Sequence, residues 1–154
     1  MKNKKGFTLV ELLVVVIIIS IVGAIGALSV VAIKNKAADD TFQKLEKQVE
    51  DLGTEIYSHE ILFGDKTDPN AFYSVYKNGD DFYITLDELV NKKYISDIKS
   101  PYNGSDLCDG YLVFKNNSDE EYEHEAYLSC STKKSDGYDT ATSGLSSVTI
   151  SSIE

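Results

Sequence analysis

One carboxylate, Glu11, stands in an otherwise uncharged run from Leu9 to Ile33 that is rich in valine, isoleucine and leucine. A charged carboxylate at the centre of a hydrocarbon layer costs roughly 2.5–3.5 kcal/mol on insertion scales, and less near its edge. Glu11 falls in the first turn of the helix such a run predicts, where the helix macrodipole favours negative charge. A carboxylate so placed can pair with a cation. A desolvated pair gains far more from contact than an exposed one, and it fixes axial register between packed helices. Just upstream lie Gly6 and Phe7, behind a short basic head carrying Lys2, Lys4 and Lys5. Two further residues can do chemistry. Cys108 and Cys130 can form one disulfide in an oxidising compartment or remain two reduced, buried thiols.

The other chemical signals are weak. Ser-x-x-Lys occurs twice, at Ser96–Lys99 and Ser131–Lys134, without its partner motifs. His59 neighbours Glu60, and His124 lies between Glu123 and Glu125, which reads as solvated surface. No closely spaced His/Cys set supports zinc. Asp136-Gly137-Tyr138-Asp139 is an acidic loop with two carboxylates, short of the six to eight oxygens calcium takes unless backbone carbonyls help. Asn103-Gly104-Ser105 and Asn116-Asn117-Ser118 fit a glycosylation pattern that is frequent by chance. The reading assigns no catalytic residue, no metal and no cofactor.

The elements that hold these residues follow from patterning. The run Leu9–Ile33 spans about 37 Å as a helix, more than the roughly 30 Å hydrocarbon core. It is too long for the apolar part of a cleavable secretory signal, and no small-residue site closes it. The lysines ahead of it place the N-terminus in the cytoplasm and the rest outside. Beyond Ile33, Phe42, Leu45, Val49, Leu52 and Ile56 recur at helical spacing, an amphipathic stripe. No proline precedes Pro69, so one helix from about Phe7 to about Leu62 is allowed. Residues 34–154 hold 12 of the 15 lysines and 24 of the 25 acids, and the chain has no arginine. A surface of net charge about −12 repels nucleic acid and is well solvated.

The rest reads as a small domain. Gly64–Asp81 is a connecting loop with a short strand near Ala71–Tyr76. Thr85-Leu86-Asp87-Glu88 is a capping box that starts a short helix to about Lys93, burying Leu86, Leu89 and Val90. Turn chemistry at Ser100–Gly104 ends that segment. Gly110–Lys115 and His124–Ser131 form a hairpin across the polar run Asn116–Glu121. Cys108, Leu112 and Phe114 share one face of the first strand; Ala126, Leu128 and Cys130 share one face of the second. Pairing Cys108 with Cys130 sets Leu112 opposite Ala126 and Gly110 opposite Leu128, and centres the turn at Asp119. Ser147–Ile153 reads as a last strand, with Val148 and Ile150 on one side.

The segment Gly6-Phe7-Thr8-Leu9-Val10-Glu11, with its basic head and long apolar helix, resembles the class III signal of type IV pilins and related pseudopilins. The resemblance covers residues 1–35 closely and the remainder loosely. It implies that a prepilin peptidase cuts between Gly6 and Phe7 and methylates the new amine, leaving Glu11 as the fifth mature residue. It further implies that an assembly ATPase and a platform protein drive polymerisation. Glu11 of one subunit then meets the Phe7 amine of its neighbour. The latter part of the apolar run, Ser20–Leu28, has Gly23 and Gly26 where many type IV pilins have a proline.

The expected architecture is α+β: a long N-terminal helix packed on an antiparallel sheet of three or four strands. Residues 1–6 are the leader, 7–33 the transmembrane and assembly helix, and 34–154 an extracellular domain. The expected function is a pilus subunit, first in the cytoplasmic membrane and then in an extracellular fibre. Alternatives are a pseudopilin of a type II secretion or competence apparatus, or a monomeric membrane-anchored binding module.

Overall fold

A computed structural model of the chain describes residues 9–117 and 121–153, with residues 21–31 and 121 described by backbone alone. The chain divides after Ala38 into two compact units. Helix α1, Leu9–Phe63, supplies the first unit and opens the second. No helix among the described residues is long and apolar enough to cross a membrane. The apolar run of the sequence includes residues 21–31, whose side chains lie outside that set.

In the second unit α1 contributes the stripe its periodicity predicts. Phe42, Val49 and Ile56 are buried, and Leu45 and Leu52 pack partly buried beside them. They meet one sheet of order β4-β3-β2-β1-β5, where β1 is Phe82–Thr85, β2 Asp109–Asn117, β3 Glu121–Cys130, β4 Lys133–Lys134 and β5 Ser146–Ser147. The inward side chains are Phe82 and Ile84 of β1, Leu112 and Phe114 of β2, and Leu128 and Cys130 of β3. Phe82 stacks on Phe114 with centroids 5.1 Å apart, and Phe72 meets both rings edge-on, geometries that add to the burial of aromatic area.

The β2–β3 hairpin has the register the face pattern requires, with Leu112 opposite Ala126 and Gly110 opposite Leu128. The centre of its turn, Asp119, lies outside the described residues. The fold is α+β, but the sheet has five strands rather than three or four. It is also not purely antiparallel, because β5 runs parallel to β1. Helix α3, Leu86–Asn91, begins where predicted: the Glu88 N–H donates to Thr85 Oγ1 at 3.2 Å. Leu86 and Leu89 are buried, whereas Val90 is only half-buried.

Two further expectations fail. The segment Ala71–Tyr76 is not a strand: Phe72–Asn78 is a helix, α2, ended by Gly79 in the left-handed region at φ 79°. Helical spacing lets Phe72, Val75 and Tyr76 face the core together, and that packing overrides the strand preference of the same residues. The last strand is shorter than Ser147–Ile153. Val148 and Ile150 are buried as predicted, but beyond an isolated bridge at Thr149 the Ile150 and Ser151 N–H groups donate to the Glu88 and Glu60 carboxylates and the Ile153 N–H to the Lys92 carbonyl, with no strand.

Candidate functional site

Three places carry the groups of interest. The first is the N-terminal end of α1. Gly6 and Phe7 lie outside the described residues. Glu11 is in the first turn of the helix, on its exposed surface, where the macrodipole stabilises its charge. Around it Leu9, Val10 and every residue from Leu12 to Ile19 are 46–82% exposed. An amphipathic helix buries a stripe; here the apolar side chains are open to the surroundings on all faces of the helix. Water does not hold such a surface stably, so its partner is lipid or other helices.

The second is the cysteine pair. Cys108 and Cys130 form a disulfide and both are buried, which removes the alternative of two free thiols. The bridge closes the open end of the β2–β3 hairpin, next to the bond from the Cys108 N–H to the Ile98 carbonyl at 2.8 Å. Beside it Asn103 Nδ2 donates to Asp106 and to Ser131 at 2.6 and 2.9 Å. Hydrogen bonds from Asn103, then Ser131, hold the Asp106 carboxyl below its ordinary value.

The third is the end of α1, and the sequence reading missed it. Glu60 is completely buried. Its Oε1 accepts from the Ser151 N–H at 2.8 Å, and the Ser151 hydroxyl lies 3.4 Å from Oε2. His59 Nδ1 is 3.4 Å from the same carboxylate and 2.9 Å from the Tyr94 hydroxyl. Burial, followed by the nearby charge of Glu60, pushes the Tyr94 phenol up. A serine, a histidine and an acid are thus close together, yet Ser151 contacts the carboxylate and makes no hydrogen bond to the imidazole among the described residues. The hydroxyl faces the carboxylate and not the imidazole, so the cluster lacks the hydroxyl–imidazole–acid order of a nucleophilic relay. It works as a clasp that ties the C-terminal segment to α1.

Both histidines therefore depart from the surface reading. His59 is three-quarters buried at its side chain, and His124 is half-buried under α1, its ring filling the space a Cβ on Gly53 would occupy. Polar neighbours in sequence misled, because adjacent residues on a helix or strand face different surroundings. The acidic loop Asp136–Asp139 has its second carboxylate engaged, with Lys134 Nζ 2.6 Å from Asp139, and no group of three His, Cys, Asp or Glu suited to a metal occurs among the described residues.

Residues 1–33 match the model of the prokaryotic N-terminal methylation motif. The chain thus carries the class III signal found on type IV pilin and pseudopilin precursors. No curated protein and no solved structure matches the chain. The motif implies processing by a prepilin peptidase and assembly into pilus-type polymers, and indicates a structural subunit rather than an enzyme.

Proposed function

We propose that the chain is a prepilin, the precursor of a type IV pilus subunit. In this reading residues 1–6 are removed by cleavage after Gly6, Phe7 is N-methylated, and residues 7–33 hold the subunit in the cytoplasmic membrane with its C-terminal domain, 34–154, outside. An assembly ATPase and a platform protein then move the helices from lipid into the core of an extracellular fibre. The observation that carries the reading is the exposed apolar surface of Leu9–Ile19 with one carboxylate set in its first turn. A static anchor needs the apolar surface but not the acid.

Cleavage has a physical purpose here. Before it, the free amine is on Met1, at the end of a basic head. After it, the amine is on Phe7, four residues ahead of Glu11. In a bundle of staggered copies, Glu11 of one subunit neutralises the Phe7 amine of the next, and two desolvated charges pair at one register. Glu11→Ala leaves the subunit in the membrane and abolishes or severely reduces filaments. The test is electron microscopy of labelled filaments together with N-terminal sequencing of the subunit in them. Methylated Phe7 at the mature terminus supports the proposal; intact Met1 in filaments, or normal fibres from Glu11→Ala, overturns it.

A further inference from the structure

We propose that the outer edge of β3 and the facing wall of α1 form a docking groove for an extended, lysine- or arginine-bearing segment of a partner protein, which joins the sheet as an added strand. The inference does not depend on the polymer reading above.

The edge is open. On the side of β3 away from β2, strand β4 pairs only with Ser129 and Cys130, and Leu128 exchanges bonds with Ser135: its N–H donates to Ser135 Oγ at 2.7 Å and its carbonyl accepts from the Ser135 N–H at 2.8 Å. Leu128 therefore directs its backbone groups outward, and alternation along a strand directs those of Ala126, His124 and Tyr122 the same way. Among the described residues these three make no further backbone hydrogen bond on that side. Unpaired edge groups of this kind are the template used when an extended peptide adds to a sheet.

The edge meets, at Glu125–Tyr127, a groove of about 550 Å³ whose other walls are the Asp39–Glu50 stretch of α1 and Lys133–Asp136. Those twelve residues of helix run about 18 Å, the length of five or six residues of strand. Five carboxylates and three lysines line it. Lys47 is committed to Glu50 and Asp51, Lys134 to Asp139, and Glu125 to Lys115 from outside the groove, while Lys133 has no ion-pair partner among the described residues. Glu46 and Asp136 have no ion-pair partner among the described residues. A strand with alternating basic side chains can place one set against Glu123, beside the Glu125–Lys115 pair, and the other against Glu46.

The same charges argue against a second copy of this chain as the occupant. Antiparallel pairing of two β3 edges about His124 would set Glu123 of one directly opposite Glu125 of the other, and like charges at that position are destabilising. The occupant is therefore a basic strand from a different protein.

The test uses the full chain, nitrogen-15 labelled in detergent micelles, and a synthetic peptide alternating lysine with valine. The control peptide keeps the lysines and replaces each valine by proline, so it has the same charge and cannot form a ladder. The expected result is saturable binding that weakens with salt. Amide shifts and slowed hydrogen exchange are concentrated at Tyr122, His124 and Ala126, and the proline peptide binds at least about tenfold more weakly. Ala126→Pro, which removes an outward N–H and leaves the β2 ladder intact, lowers affinity similarly; so does the exposed Glu123→Lys, which decides alone should Ala126→Pro lower the folded fraction. Equal binding of the two peptides, shifts centred elsewhere, insensitivity to Glu123→Lys, or no saturable binding each overturn the proposal.

Discussion

Glu60 is the place where the structure makes its sharpest energetic demand. Burying a carboxylate is costly unless hydrogen bonds or an opposite charge compensate it. Against that cost stands a short bond: the Ser151 N–H donates to Glu60 Oε1 at 2.8 Å, and the Ser151 hydroxyl adds a longer contact at 3.4 Å. A hydrogen bond to a charged group contributes about 1.5–3 kcal/mol, and an orphaned buried N–H costs about 1–3 kcal/mol. Glu60→Ala removes the acceptor, leaves the Ser151 N–H without one, and opens space under the C-terminal segment; the expected loss is about 3 kcal/mol. Glu60→Gln keeps the volume and an acceptor oxygen while removing the charge, and the gain in desolvation offsets the weaker bond to within about 1 kcal/mol. The chain has no tryptophan but ten tyrosines, so urea unfolding of both variants in detergent can be followed by tyrosine fluorescence, with hydrogen exchange at Ser151 as the local readout. Equal losses in the two variants would show that the charge, and not the acceptor's position, holds the segment. A gain in stability in both would show that desolvation outweighs the clasp. Either result refutes the reasoning.

Gly53→Ala should destabilise by about 1–3 kcal/mol, because the new Cβ would overlap the His124 ring at Cδ2; that outweighs the helix-propensity gain of about 1 kcal/mol, and pairing it with His124→Ala in denaturant unfolding should recover much of the loss. Replacing Cys108 and Cys130 together by serine opens a loop of sequence separation 22, for which the chain-entropy relation gives a loss of about 3 kcal/mol, read as a lower unfolding midpoint under oxidising conditions only. Alkaline titration followed by tyrosinate absorbance should be biphasic. Tyr57, through its bond to Tyr76, and Tyr102 and Tyr122, mainly through burial, are pushed up to about 12. Their folded values lie above the ordinary value near 10, so the stability each contributes is complete below pH 10 and is lost as pH rises through about 12; a single transition near 10 in the native protein contradicts this.

The parts of the fold that the sequence made legible are those where one local rule and one packing rule agree. The hairpin register could be read because the cysteines, the apolar faces and the polar turn all select the same pairing. The α1 stripe and the Thr85 cap were legible for the same reason. Strand β1 was missed although Phe82-Tyr83-Ile84-Thr85 is rich in strand formers, because four residues give too short an alternation to stand out. Helix α2 was misread because Phe72, Tyr73, Val75 and Tyr76 favour strands one by one, and only the joint packing of Phe72 on Phe82 and of Tyr76 on Tyr122 makes a helix the better solution. Gly79, inside the segment read as a loop, serves as a helix C-cap with positive φ. Glu60 and the open edge of β3 depend on partners ninety residues away or on the absence of a partner, and no local pattern marks either. A signal for His124 was present: a glycine inside a helix such as Gly53 costs about 1 kcal/mol against alanine and invites the question of what packs on it.

A subunit that polymerises through one element has to be kept from polymerising through another. On the proposed reading, copies associate through the apolar half of α1, where the exposed surface carries its one carboxylate in the first turn. The sheet offers a competing route, since β3 presents backbone groups that are unpaired among the described residues to any strand that approaches. Edge strands in soluble proteins are commonly blunted by charge, and Glu123 and Glu125 do this at alternate positions of β3. Two copies meeting edge to edge would oppose these acids, while the helix surfaces carry no such penalty. The acidic bias of residues 34–154 thus has a structural consequence beyond solubility: it directs self-association to α1 and leaves the sheet edge selective for a partner of opposite charge. Reversing the sign at the edge with Glu123→Lys and Glu125→Lys would remove both properties together. Those variants mixed with native chain should then form mixed edge-paired species, detectable as cross-strand contacts between β3 segments of differently labelled copies.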